Sequence, residues 1–167
     1  MDLNKEYQFI NFDTNKGNKL AYTLSLAVAE QPGKNYSPLF ISGNEKERIH
    51  LMNAIANYVI EIFNYNVLYV KATYINKLTS NIDVLLIDEL EHLSSAEEPK
   101  LIEIIKTFQS NKKQIVLGSN KKLDELNISD KLKEVINWGM SVNIEQNNNK
   151  FKKKDLFDYN WLEDNDE

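Results

Sequence analysis

The sequence predicts an α/β fold: a five-stranded parallel sheet with helices on both faces. Three observations carry this. Short apolar runs alternate with helix-period segments along most of the chain. The runs are continuously apolar, as strands covered on both faces are. Gly43, Asp88 and Asn120 stand at the far ends of three of them, where sheets of this class bind ligands.

The elements follow in order. Residues 1–17 are polar, with an aromatic patch of Tyr7, Phe9 and Phe12. From Asn18 to Glu30, Leu20, Ala21, Leu24, Ala27 and Val28 recur at helical spacing, and Gln31-Pro32-Gly33 stops the helix. Pro38 to Gly43 reads as a buried strand. Glu47 to Phe63 reads as an amphipathic helix with Leu51, Ala54, Ile55, Tyr58, Val59 and Ile62 on one face. Asn66–Lys71 and Ile82–Asp88 are the second and third strands. A helix follows over Glu97–Gln109, then a strand over Gln114–Gly118. Ser129 is the expected N-cap of a short helix ending near Trp138-Gly139, and Met140–Ile144 is the fifth strand. Residues 1–145 thus form one domain. Residues 146–167 form a polar, charged tail with a lysine cluster (Lys150, Lys152, Lys153, Lys154) and an acidic end around Trp161.

Composition narrows the functions open to the chain. Hydrophobic residues make up 42% of its 167 residues, which excludes wholesale disorder. No apolar run approaches the roughly 20 residues of a membrane span. Met1-Asp2-Leu3-Asn4-Lys5-Glu6 lacks the basic-then-apolar pattern of a signal peptide, so the cytoplasm is the expected compartment. With no cysteine, disulfides, thiolate zinc sites and cysteine nucleophiles are excluded. A net charge of −5 argues against general duplex DNA binding, which draws affinity from neutralised phosphates. Arg48 is the sole arginine.

Three strand ends could carry chemistry. After the first strand comes Gly43-Asn44-Glu45-Lys46-Glu47-Arg48-Ile49-His50-Leu51. Strand–loop–helix is the place for a phosphate-binding loop. Such a loop needs glycines to expose backbone N–H groups, a lysine for the β/γ-phosphates, and a Ser or Thr for Mg²⁺. Only Gly43 remains. Arg48 and Ile49 stand where the lysine and hydroxyl belong, and Glu45 and Glu47 would repel phosphate. Taken alone, these residues read as an ordinary strand–helix loop. The third strand ends in Asp88-Glu89, a carboxylate pair that matches a Walker B motif, where the first holds Mg²⁺ and the second polarises water. A buried strand meeting solvent at a charged turn explains the same pair. Asn120 beyond the fourth strand could orient water or a γ-phosphate, and a turn residue explains it equally well. His50 and His92 have no metal-spaced partner, and His50 is expected to pack or cap within its own helix.

Together these pieces resemble the AAA+ ATPase domain of the DnaA family of bacterial replication initiators, a P-loop NTPase fold. The resemblance covers roughly residues 7 to 145. It rests on Asn18-Lys19-Leu20-Ala21, Leu26-Ala27-Val28-Ala29-Glu30 and the run from Pro32-Gly33 through Tyr36-Ser37-Pro38-Leu39-Phe40-Ile41. It continues through His50-Leu51 with Ala54-Ile55, Asp83 to Asp88, Lys113 to Val116 and Trp138-Gly139.

The departures from that family bear on function. The phosphate loop is one residue short and has lost its glycines, lysine and threonine. The family's arginine finger falls on Val135, and no second arginine can supply it; Lys131 or Lys133 would be an imperfect substitute. Residues 72–81, between the second and third strands, are much shorter than in DnaA, where that region contacts single-stranded DNA. The helical lid is missing or reduced to the tail. The shortened architecture is similar to Hda, the DnaA homologue that inactivates the initiator, although Hda keeps its nucleotide site and finger. Asp155-Leu156-Phe157 resembles the end of sliding-clamp-binding peptides, without their leading Gln.

The resemblance therefore implies a pseudo-ATPase that modulates replication initiation by contacting DnaA or another replication protein. Gly43, Arg48, Asp88 and Asn120 are a vestigial nucleotide site, and Glu89 is a vestigial catalytic carboxylate. No catalytic residue or metal site is expected, and any ATP or ADP with Mg²⁺, on Asp88, would bind weakly. The alternatives are a weak ATP/ADP switch of the Hda type and a DNA-associated replication factor using the Lys150–Lys154 cluster.

Overall fold

The computed structural model describes residues 3–79 and 81–146. The sequence expectations for Lys150–Lys154, Asp155, Leu156 and Phe157 lie outside them. The elements are α1 (Lys19–Glu30), β1 (Leu39–Gly43), α2 (Glu45–Phe63), β2 (Val67–Lys71), β3 (Val84–Asp88), α3 (Glu98–Ser110), β4 (Gln114–Ser119), α4 (Asp130–Ile136) and β5 (Met140–Ile144). The strands form one sheet in the order β2-β3-β4-β1-β5, and every pairing is parallel. The fold class is the one the alternating pattern predicts.

Strand alternation sorts the core into two layers. Leu39 and Ile41 of β1, Val84 and Leu86 of β3 and Val116 of β4 face α1 and α2. Phe40, Leu85, Ile87, Ile115 and Leu117 face α3 and α4. β1, β3 and β4 are buried at every position. That burial is why their sequences are continuously apolar rather than alternating.

Local chemistry sets the helix boundaries. The Asn44 side chain accepts from the Glu47 N–H at 3.2 Å, so α2 starts at Glu45, two residues before the apolar stripe suggests. Ser129 caps α4 as expected, its Oγ accepting from the Leu132 N–H at 3.2 Å. The buried Glu98 carboxylate accepts from the Ser129 N–H at 3.1 Å and ties the start of α3 to the start of α4. The third strand begins at Val84 rather than Ile82, because the N–H groups of Asp83 and Val84 both turn to the Asn66 carbonyl. The short link after β2 is not bare loop: Ala72–Lys77 forms a 3₁₀ turn that buries Ala72 and Ile75.

The N-terminal segment is strapped across α2. Phe9 and Phe12 join the first core layer. The Asn53 side chain accepts from the Asn4 N–H, and the Asn57 amide donates to the carbonyls of Asn4 and Tyr7. His50 corrects the expectation of a role within its own helix. Its Nε2 lies 2.8 Å from the Gln8 carbonyl and 3.1 Å from Asn11 Oδ1, and its ring stacks on Tyr7 and meets the edge of Phe12. Sequence spacing cannot show this, because the partners lie about 40 residues away.

Candidate functional site

The ends of β1, β3 and β4 meet at one edge of the sheet. Gly43 closes β1 with a φ of 105°, in the left-handed region open to glycine. A Cβ there would collide with the Ile144 carbonyl of β5. Asn44 alone separates β1 from α2. Three N–H groups of this connection have protein acceptors: Asn44 donates to Ile144, Glu47 to the Asn44 side chain, and Arg48 to the Asn44 carbonyl. So short and so engaged a connection leaves no wrapped loop around a phosphate.

Arg48 turns inward from the first turn of α2 and is only 1% exposed. Its Nε donates to Asp88 Oδ1 at 2.9 Å and its Nη2 to Asp88 Oδ2 at 3.4 Å, a two-point ion pair. Its Nη1 donates to the Gly43 carbonyl at 2.8 Å. One guanidinium thus joins the ends of β1 and β3 with its fork of donors. Burial raises the Asp88 carboxyl above the usual carboxylate range, and Arg48 pulls it back down by charge and hydrogen bonding. Burial is also the main force raising the Tyr69 phenol on neighbouring β2, followed by the charge of Asp88.

Room for this pair comes from Gly118 on β4. A Cβ at Gly118 would collide with Asp88 Oδ1 and lie 2.8 Å from Met52 Sδ. Nothing in the family motifs singles out Gly118. Its signal was present, since a lone glycine in an otherwise apolar strand marks a close approach.

The other anticipated site residues stand nearby with different partners. Glu89 adopts a left-handed backbone, φ 60°, and its carboxylate contacts Lys71 Nζ at 3.5 Å and His92 Nδ1 at 3.3 Å. Asn120 is exposed, and its N–H donates to Glu91 Oε1 at 3.1 Å. Glu91 also accepts from Ser119 Oγ at 3.0 Å. So the structure brings Gly43, Arg48 and Asp88 together, and binds Glu89 to Lys71 at the end of β2 and Asn120 to Glu91 beyond β3. Val135, on which the resemblance places the finger, is 2% exposed in the second core layer.

A magnesium triphosphate does not fit this arrangement. The carboxylate that would hold the ion is bonded to a guanidinium at both oxygens. Ile49 offers no oxygen to a hard cation. Glu45 and Glu47 lie in the first turn of α2, where phosphate would sit.

The family described as Bacterial DnaA ATPase domain matches residues 3–78 and 71–143. The chain is 36% identical over 164 residues to the chromosomal replication initiator protein DnaA of Limosilactobacillus reuteri, covering 85% of this chain and 37% of the relative. It therefore spans little more than a third of that relative's length. Domain III of DnaA from Thermotoga maritima superposes with a TM-score of 0.81 at 27% identity, over 92% of this chain and 73% of that one. AMPPCP-bound DnaA from Aquifex aeolicus superposes with a TM-score of 0.78 at 30% identity, over 96% of this chain and 57% of that one. The sheet order, the strand-end carboxylate and these matches agree: the chain belongs to the bacterial DnaA ATPase-domain family.

Proposed function

We infer that this chain is a DnaA-type pseudo-ATPase, a protein-binding module that acts in replication initiation and does not turn over ATP. The carrying observation is the Arg48–Asp88 pair, which engages both oxygens of the Walker B carboxylate with an internal cation. Its relatives are named as chromosomal replication initiators, which supports a partner among replication proteins, with DnaA first among them. AAA+ domains stack head to tail, and a domain whose finger position is a buried valine would cap such a stack rather than extend it.

Calorimetry with ATP and ADP in the presence of Mg²⁺ tests the first half of this reading. The expected result is no heat at millimolar nucleotide, and micromolar binding would sink it. Pull-down of purified DnaA tests the second half. Lys46→Glu in the first turn of α2 and Lys131→Glu in the first turn of α4 reverse exposed charges. Loss of capture by either is expected, and full capture by both counts against the reading.

One observation favours a weak nucleotide switch as the second reading. A recess of about 230 Å³ beside Asn44 is lined by Phe12 and His50, an aromatic setting suited to a base. Adenosine binding as tightly as ATP, and unaffected by Mg²⁺, would support it.

A further inference from the structure

The opposite end of the sheet carries a recess of about 490 Å³, lined in part by Gly33, Lys34, Asn35, Ser37, Lys112 and Trp138. These residues lie in the connections that enter β1, β4 and β5. Buried polar groups fix the walls. The Gln114 side chain accepts from the Gly33 N–H at 2.8 Å and donates to the Tyr36 carbonyl at 2.7 Å. Ser37 Oγ donates to the Lys113 carbonyl at 2.9 Å and accepts from the Ile115 N–H at 3.1 Å. Gly33, with φ 78°, backs so closely onto the Lys112 carbonyl that no Cβ fits between them. A recess built this way needs little ordering to receive a ligand.

Its chemistry is one-sided. Lys34 and Lys112 are the charged residues of the lining, and neither ammonium forms an ion pair with a described residue. Trp138 is 44% exposed at its rim, and Met140 nearby is 37% exposed. Two unpaired cations beside an open indole suit an acidic segment that carries aromatic side chains.

We propose that residues 155–167 of this chain dock in that recess. They carry Asp155, Asp158, Glu163, Asp164, Asp166 and Glu167, the aromatics Phe157, Tyr159 and Trp161, and no basic residue. The reach is sufficient. β5 begins beside Trp138, and its 5 residues rise about 17 Å toward Glu145 and Gln146. Residues 147–154, extended at about 3.3 Å each, span about 26 Å and can return along that strand. Docking covers Asp155-Leu156-Phe157, so a partner that takes up this tripeptide must first displace it from the recess.

The test uses the full chain, which contains no cysteine, with a nitroxide on Asp158→Cys. The Trp138 indole N–H resonance is assigned by comparison with Trp161→Phe. The expected result is loss of the Trp138 indole signal and of the Lys34 and Asn35 amide signals, with recovery in Lys34→Glu/Lys112→Glu. Loss spread evenly over the surface, loss that survives the charge reversal, or no loss at Trp138 would overturn the proposal. A mixture of spin-labelled unenriched chains with isotope-enriched unlabelled chains separates a second copy as occupant: the same loss there also overturns it.

Discussion

Arg48 acts in this fold through a carboxylate and a carbonyl that water cannot reach. Removing one member of a buried ion pair leaves the other charged and alone, at a cost of about 3–5 kcal/mol, whereas replacing both with apolar groups is often neutral. Arg48→Met should therefore lower stability by about that amount in urea unfolding, and adding Asp88→Leu should recover most of it. The same change makes a pH prediction. Arg48 holds Asp88 down against burial, so without it the carboxyl climbs further above the usual range. An acid whose folded pKa is raised contributes stability below its unfolded pKa and loses it as pH rises through the folded value. The gap in unfolding midpoint between wild type and Arg48→Met should then be wider at about pH 8 than at about pH 5. An equal gap would show that Asp88 does not carry the effect. Little of this was legible in the sequence. Both residues stood out singly, Arg48 as the sole arginine and Asp88 at a strand tip. Their pairing spans 40 positions and depends on β1 and β3 both flanking β4.

At the scale of elements, the strands could be read closely because burial on both faces writes itself into composition. The errors fell at their ends, where a single hydrogen bond decides. α2 began earlier than its stripe because Asn44 caps it, and the Asn66 carbonyl drew Asp83 out of β3. The cap gives a measurable claim: Asn44→Ala should cost about 1 kcal/mol, with the helix start loosened in amide exchange. Gly118→Ala should cost about 1–3 kcal/mol, because its methyl group enters the space of Asp88 and Met52. If that variant unfolds at the wild-type denaturant concentration, β4 does not confine the ion pair as described.

For the molecule as a whole, the two core layers, α1 with α2 and α3 with α4, give the sheet its cover on both faces. The strapped N-terminal segment adds a third contribution that sequence periodicity left blank, since its partners come from α2 rather than from a repeat of its own. Such a segment can open without the core following it. In His50→Ala, protease cleavage at Lys5 should accelerate while the midpoint of global unfolding moves little, and equal effects on both would place the segment within the main cooperative unit. Among the described residues, no helix is long and apolar enough to cross a membrane.

The sheet order has a consequence for the making of the chain. β1 is flanked by β4 and β5, so Leu39 pairs with Val116 on one side and Met140 on the other. On the ribosome, β1 emerges before either neighbour, with its apolar residues exposed and both edges open, and β4 and β5 follow only after α2, β2, β3 and α3. Sheets closed by such distant pairings form slowly and pass through sticky intermediates. The nascent domain is therefore most exposed to aggregation just before β5 emerges, and translation stalled between β4 and β5 should draw the heaviest chaperone association.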